Sequence, residues 1–510
     1  MKAKWMKGTL ILAMTGFLVK FLSLLYKVPY QNIAGDEGLY VFQQVYPLIG
    51  IYTTLNGVVL PTIISELLLT YQYSEDIKRY IKSSLWVFGI ISFGTLFLGS
   101  NVLAYLMGDM HLSSLIKVVG MAFLMIPSLS YLRGVSQTRA ETIPYAAYST
   151  SIEQVLRVGA IIGVLFIFGS KSVYHIAYWA FVGGLIGPIA ASLFLIVVPL
   201  NDEPKSYLRL THRPHFFKKA VYLFLSAGIL IIFQLLDSFF VFNSLLDSGI
   251  SSMEAMMLKG SYDRGLPIIQ TATVFTGAVV SATIPQLAGV SELKKRKKVF
   301  NSALFMILAM AVPATLGLYT VVDELNIALF KDSNGIEALK ILTVQVLFYP
   351  IVFFSTAIMQ QEGQYSKLLV SVLGGIFAKL ILTAPLTEAL GIEGAAISSV
   401  IALGVIAVIN ISQFRNMYRP TTIGNLIKIG VSTLMMWLVL DMTYPYIQDA
   451  ISSIAKNRVQ NIASLCIQAL IGALVYGAVL GIFMLTTSLI NKNNRKKRRR
   501  KVKMVEAGQE

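Results

Sequence analysis

Six ionisable residues stand where charge is costly: Lys20, Lys27, Glu153, Arg157, Asp237 and Arg264 lie inside or against long apolar runs. The first run, residues 8–30, reads GTLILAMTGFLVKFLSLLYKVPY and carries the two lysines seven positions apart. In a helix that spacing puts them on nearly one face. Gly16 and Ser23 fall on the same face and complete a polar stripe at 4-3-4 spacing. An ammonium at membrane depth costs at least about 2.5 kcal/mol on insertion scales, so the stripe is expected to face protein or a water-filled cavity. No acid in the segment neutralises it. Two lysines on one face are point charges suited to a phosphate. The competing reading is that both snorkel to an interface, which is easier for Lys27 near the end of the run than for Lys20.

Glu153 and Arg157 are an i, i+4 pair in YAAYSTSIEQVLRVGAIIGVLF. That is the favourable order on a helix. Two readings stand: a self-neutralising structural ion pair, or an Arg157 that faces the cavity and is oriented by Glu153. Asp237 is an isolated carboxylate in IIFQLLDSFFVF. Such a group is a site candidate by default, either binding a coupling cation or proton or making a packing hydrogen bond. Arg264 or Lys20 is its expected basic partner. Arg264 itself precedes Gly265 and Pro267 in SYDRGLPIIQ. Proline suits a first helical turn, and an arginine beside a helix N-terminus makes an anion site.

These residues need elements long enough to span a bilayer. The chain is 55% hydrophobic and 14% charged, with a mean hydropathy of +0.68. Soluble domains carry about 25% charged residues. This is an all-α polytopic membrane protein. Fourteen membrane-length segments are expected, near 8–30, 40–65, 84–107, 113–133, 145–169, 175–199, 219–246, 266–289, 299–321, 340–360, 366–386, 391–413, 424–446 and 462–489.

Basic residues concentrate in alternate loops: Lys78/Arg79/Lys82, Arg133/Arg139, Lys205 to Lys219, Lys294 to Lys298, Lys367 and Arg415 to Lys428. With the charged ends of the chain, this pattern places both termini in the cytoplasm. Residues 201–219 are then cytoplasmic, and 248–262 and 322–339 external. The expected organisation is a six-helix lobe (1–200), a linker (201–218), a second six-helix lobe (219–415), two appended helices (416–489) and a basic tail (490–510). The tail NKNNRKKRRRKVK holds nine basic residues of a chain with net charge +17. It is expected to lie on anionic membrane lipids, and no nucleic-acid partner is expected.

The single cysteine, Cys466, allows no intrachain disulfide, and the four histidines are scattered. There is no P-loop, HExxH or GxSxG motif. No cofactor, metal site or enzymatic activity is expected.

Several stretches, in order, carry a family likeness: IAGDEGLYVFQQVYP, YLRGVSQ, IPYAAYSTSIEQVLRV, QLLDSFFV, KGSYDRGLPIIQ and GIEGAAISSVIALG. Over most of its length, to about residue 415, the chain resembles the multidrug/oligosaccharidyl-lipid/polysaccharide exporter superfamily. Within it, the chain is similar to the polysaccharide-biosynthesis and stage V sporulation protein B branch, related to the lipid II flippases. The resemblance implies two six-helix lobes around a V-shaped cavity, two further helices and alternating access in the bacterial cytoplasmic membrane. The implied cargo is an undecaprenyl-linked saccharide, a peptidoglycan or surface-glycan precursor. Proton or sodium coupling and cell-wall synthesis proteins as partners are further expectations. On this reading Lys20, Lys27, Arg157 and Arg264 hold the anionic headgroup, and Asp237 and Glu153 serve coupling or structural pairing. An ion-coupled multidrug exporter of the same superfamily is the alternative, followed by a membrane glycosyltransferase or glycan ligase.

Overall fold

The computed structural model describes residues 2–200, 214–290, 292–417, 421–452 and 457–507, and every regular element among them is a helix. Of side chains before Tyr26 only Leu22 is described, so the Lys20 side chain lies outside the described residues, as does most of the expected linker, 201–213. Eleven helices are long and apolar enough to cross a membrane. Two bent pairs raise the number to thirteen: Met110–Phe123 with Ile126–Ser136, bent by 41°, and Ser252–Ala272 with Thr276–Ile284, bent by 42°. The first bend falls just before Pro127, whose ring disfavours a continuous helix. There the Leu124 and Met125 amides donate to Met121 and Ala122 in tighter three-residue turns.

The expected count of fourteen differs from thirteen by one feature. The run Tyr26–Thr70 is one apolar helical run, yet the helix Lys2–Thr54 turns back at Gly35. Lys27 lies 4.4 Å from the ring centroid of Tyr46, and Tyr30 4.8 Å from that of Phe42. In a straight helix Lys27 and Tyr46 would be about 28 Å apart, at 1.5 Å per residue. Gly35 has φ 71° and ψ −176°. That conformation is essentially open to glycine alone. The first helical stretch therefore forms a hairpin with two packed arms.

Residues 248–262, expected as an external loop, are largely helical from Ser252 onward, and the helix Ser252–Asp263 packs along the hairpin. Gly260 makes this approach feasible: a Cβ there would lie 2.0 Å from the Asp36 carbonyl oxygen. Pro267 falls in the first turn of the helix Gly265–Ala272, which a one-residue break at Arg264 separates from Ser252–Asp263. The helix N-terminus beside Arg264 therefore adjoins the end of the preceding helix, and Arg264 itself is its N-cap.

The two halves of the chain share one apolar core. Tyr40, Val45, Leu48 and Phe181 from the first half are continuous with Val241, Tyr262, Leu339 and Ile392 from the second. The second half keeps its own core, including Phe233, Phe300, Val352 and Phe414. Beyond residue 420, helices Thr421–Ser452 and Asn457–Ala507 pack on Leu293–Phe330, and the last continues helically into the basic tail.

Candidate functional site

In the first half, three charged side chains form one buried cluster. Glu153 Oε2 accepts from Arg133 Nη2 at 2.7 Å and Oε1 accepts from Arg157 Nη2 at 2.5 Å. Arg133 also donates to Ser149 Oγ at 3.0 Å. Beside it, Asn56 bridges Ser130 and Tyr52. One carboxylate serves two guanidiniums, so the cluster keeps an excess positive charge. Arg157 lines a crevice with Tyr26, Phe42, Tyr46 and Phe181. Its volume of about 20 Å³ is room for about one water.

Across Tyr46 lies Lys27, buried at 1% exposure, its ammonium 4.4 Å from the ring centroid. Such a cation–π contact contributes about 0.5–2 kcal/mol, less than an ammonium loses by leaving water. Among the described residues no carboxylate comes within ion-pair distance of Lys27. Asp263 of the second half is within electrostatic reach.

The second half pairs its buried charges. Lys259 Nζ bonds both Asp263 oxygens at 2.6 and 2.7 Å. Lys379 Nζ lies 2.6 Å from Asp237 Oδ1 and donates to Ser399 Oγ at 2.6 Å. Tyr262 donates to Asp237 Oδ2 at 2.9 Å.

Among the described residues, one buried charged contact crosses the seam between the halves. Arg264, fully buried, donates through Nε and Nη2 to Asp36 Oδ1 at 2.9 and 2.6 Å, and through Nη2 to Oδ2 at 2.5 Å. Its other edge binds Asp332 Oδ1 at 2.6 Å. Asp36 follows the Gly35 turn, and Gln31 donates to it at 3.1 Å. Neutral cross-links lie on the same side: Gln44 Nε2 to the Ser238 carbonyl at 2.7 Å, Asn32 Nδ2 to Leu329 at 2.8 Å and Asn243 Nδ2 to Leu106 at 2.9 Å. At the opposite end the halves touch through the helix Phe216–Ala227 and the residues before it. There Tyr80 donates to the Pro214 carbonyl at 2.9 Å and Lys219 pairs with Glu66 at 2.5 Å.

The family model described as polysaccharide biosynthesis protein matches residues 5–291. The chain belongs to that family. The chain is 33% identical over 457 residues to the membrane protein YabM of Bacillus subtilis (strain 168), covering 86% of each chain. From the same organism, the lipid II flippase MurJ is 23% identical, with 80% of this chain and 81% of MurJ covered. Stage V sporulation protein B is 24% identical, at 80% and 83% coverage. Among solved structures, lipid II flippase MurJ in an inward closed conformation superposes with a TM-score of 0.67 at 16% identity, covering 94% of this chain and 99% of that one. An inward-facing multidrug resistance transporter of the MATE family gives 0.54 at 17% identity, covering 81% and 95%. At those identities the structures establish the fold alone. The protein is a multi-pass membrane protein of the exporter superfamily.

Within this family member, five of the six residues singled out from sequence are described, and they fall in three places. Lys27 and Arg157 flank one tyrosine-lined crevice, with Glu153 bound to Arg157. Arg264 lies in the seam latch, and Asp237 is paired in the second half. Asp237 pairs with Lys379, while Arg264, one of its two expected partners, is occupied by Asp36 and Asp332; the other, Lys20, has its side chain outside the described residues. Sequence reasoning missed Arg133, which it placed in a loop, and also Asp36 and Lys379 as partners. Lys379 was visible as a lysine midway along an apolar run. Asp36 carried no signal beyond an acid after a glycine.

Proposed function

We propose that the protein is a flippase that carries a polyprenyl-linked saccharide, a peptidoglycan or surface-glycan precursor, across the cytoplasmic membrane by alternating access. The observation that carries this reading is the charge imbalance around Tyr46. Lys27, Arg133 and Arg157 are buried there against the single carboxylate Glu153. A buried cation without a counter-ion is costly. An anionic headgroup entering the seam would offset that cost, whereas a cationic drug would add to it. Lys20, one to two turns along the same arm, is read as the next contact for the phosphates. The crevice admits about one water. Headgroup entry therefore requires the halves to part.

In the orientation assigned from the loop charges, the Asp36–Arg264 latch closes the external face and both termini are cytoplasmic. The named relatives support the cargo class: one is called a lipid II flippase and another a sporulation protein. The sequence offers no glycosyltransferase motif, and among the described residues the crevice is lined by Arg157 rather than by an acid, against the multidrug reading.

The test is translocation of fluorescent lipid-linked saccharides in proteoliposomes, with cationic dyes in parallel. Lys27→Ala is expected to lose most saccharide transport, Lys27→Arg to retain part of it, and the Lys20→Ala/Lys27→Ala pair to be nearly inactive at matched membrane abundance. Dye export without saccharide transport would replace this reading with the multidrug one.

A further inference from the structure

A buried acid outside the crevice and the seam latch stands where the two appended helices meet the second half. Glu324, near the C-terminal end of Leu293–Phe330, is 5% exposed, and its hydrogen-bond partners are neutral. Tyr444, from Thr421–Ser452, hydrogen-bonds both Glu324 and Gln448. Gln468, from Asn457–Ala507, donates through Nε2 to Ser464 Oγ at 2.9 Å and reaches Glu324 Oε1 only at 3.5 Å. Gln448 Nε2 donates to the same Ser464 oxygen at 3.1 Å. Gln468 is 1% exposed, and its Oε1 receives no hydrogen bond. Two basic side chains at this end of the helix are engaged elsewhere. Lys340 pairs with Asp323 and Glu337 at 3.3 and 3.2 Å, and Arg458 donates to the Ala328 and Leu329 carbonyls at 2.5 and 3.1 Å. Among the described residues no basic group comes within ion-pair distance of Glu324.

A buried carboxylate held only by neutral groups is costly, and more so at membrane depth. Here it adjoins an orphaned amide oxygen, itself costly to bury. Both deficits are met by one positive charge among oxygens. A divalent ion takes six or more oxygens, with several carboxylates in tight sites. Among the described residues no group of three His, Cys, Asp or Glu side chains could hold one. A single carboxylate with hydroxyl and amide oxygens matches a monovalent ion.

We propose that Glu324, Tyr444, Ser464 and Gln468 bind an alkali cation, sodium or potassium, that fastens the appended helices to Leu293–Phe330. Each of the three helices supplies at least one oxygen, so the ion cross-links all of them. Its release leaves the acid uncompensated and loosens the pair. The site is separate from the Lys27 crevice and from Asp237, and the proposal is independent of the cargo. Its test reads ion binding and local docking rather than transport, so it fails or stands apart from the flippase reading.

The reporter is Ile447→Cys in a Cys466→Ala background of the full-length protein. Ile447 is 8% exposed and adjoins Gln448 on the appended helix. Its labelling by a small maleimide is followed as sodium or potassium replaces choline at constant ionic strength. Labelling is expected to slow saturably with the ion. Glu324→Gln, which keeps the shape of the side chain, is expected to label fast and equally in all salts. Gln468→Met is expected to raise the half-effect concentration about tenfold, the size of one lost polar contact. Binding of ²²Na⁺ or ⁸⁶Rb⁺ is measured in an Asp237→Asn background, where one bound ion is expected and none once Glu324→Gln is added. Equal labelling of the reporter in choline and in both alkali salts would overturn the proposal. So would an ion effect that survives Glu324→Gln, or a folded Asp237→Asn protein that binds neither ion. If Glu324→Gln does not fold, an unchanged half-effect concentration in Gln468→Met overturns it instead.

Discussion

The seam latch gives the most direct prediction. Asp36→Asn keeps the shape of the side chain and removes the charge that Arg264 binds through three N–H contacts. Charge-assisted hydrogen bonds contribute about 1.5–3 kcal/mol, against about 1 kcal/mol for neutral ones. Arg264 keeps Asp332, so it is not left unpaired. A net loss of about 1.5–3 kcal/mol from the closed seam corresponds to a roughly ten- to hundredfold rise in the population of the parted state. Ser238 reports it: the residue is 1% exposed, and its carbonyl accepts the cross-seam bond from Gln44. In a Cys466→Ala background, labelling of Ser238→Cys by an impermeant thiol reagent is expected to accelerate by that factor when Asp36→Asn is added. Asp332→Asn should accelerate it less, because Asp332 is 37% exposed and lies in the same half as Arg264. Equal labelling with and without Asp36→Asn, at matched folding, would show that the latch does not hold the seam.

Two further changes test the packing beneath the site. Gly260→Ala places a Cβ 2.0 Å from the Asp36 carbonyl oxygen, so the helix Ser252–Asp263 must move off the hairpin. An overpacking cost of about 1–3 kcal/mol should appear as a lower melting temperature and faster Ser238→Cys labelling. Glu153→Gln leaves Arg133 and Arg157 buried without their shared carboxylate. Removing the acid of a buried pair costs about 3–5 kcal/mol, so thermal melting should show a larger loss than for Lys27→Ala, which removes a cation that has no carboxylate partner.

Sequence made the membrane architecture legible because hydropathy and loop charge report the bilayer directly. It located Lys27, Arg157 and Asp237 by the cost of charge in an apolar run. It paired Arg157 with Glu153 from their i, i+4 spacing, but it missed Arg133 for Glu153 and Lys379 for Asp237 because those partnerships are tertiary. Asp237 and Lys379 are far apart in sequence, and each reads separately as an isolated charge; only helix packing brings them to 2.6 Å. The hairpin at Gly35 was anticipated as two segments but not as one backbone turn, since a glycine at φ 71° leaves no pattern in the neighbouring residues. The loop expected at 248–262 failed for another reason. SSMEAMMLKGSYDRG is polar enough to resemble a loop, yet its polar groups are satisfied internally by the Lys259–Asp263 pair and the Arg264 network.

The distribution of pairs bears on how two packed halves can part at modest cost. Arg133–Glu153–Arg157 lies wholly in the first half, and Lys259–Asp263 and Lys379–Asp237 wholly in the second. Each moves as a unit, so none needs to be broken or rehydrated when the halves separate. Among the latch-side contacts, the charged one is Asp36–Arg264, and both partners have somewhere to go. Arg264 retains Asp332, while Asp36 retains Gln31 and sits at the turn of the hairpin. The neutral cross-links from Gln44, Asn32 and Asn243 add about 1 kcal/mol each. Apart from the apolar core that the halves share, separation therefore costs a few kcal/mol in polar contacts rather than the full penalty of stranding a buried charge. That cost is of the size that binding an anion between Lys27 and Arg157 can supply. Asp332, distant from the crevice, thus sets the height of the opening step by keeping Arg264 paired on both sides of it.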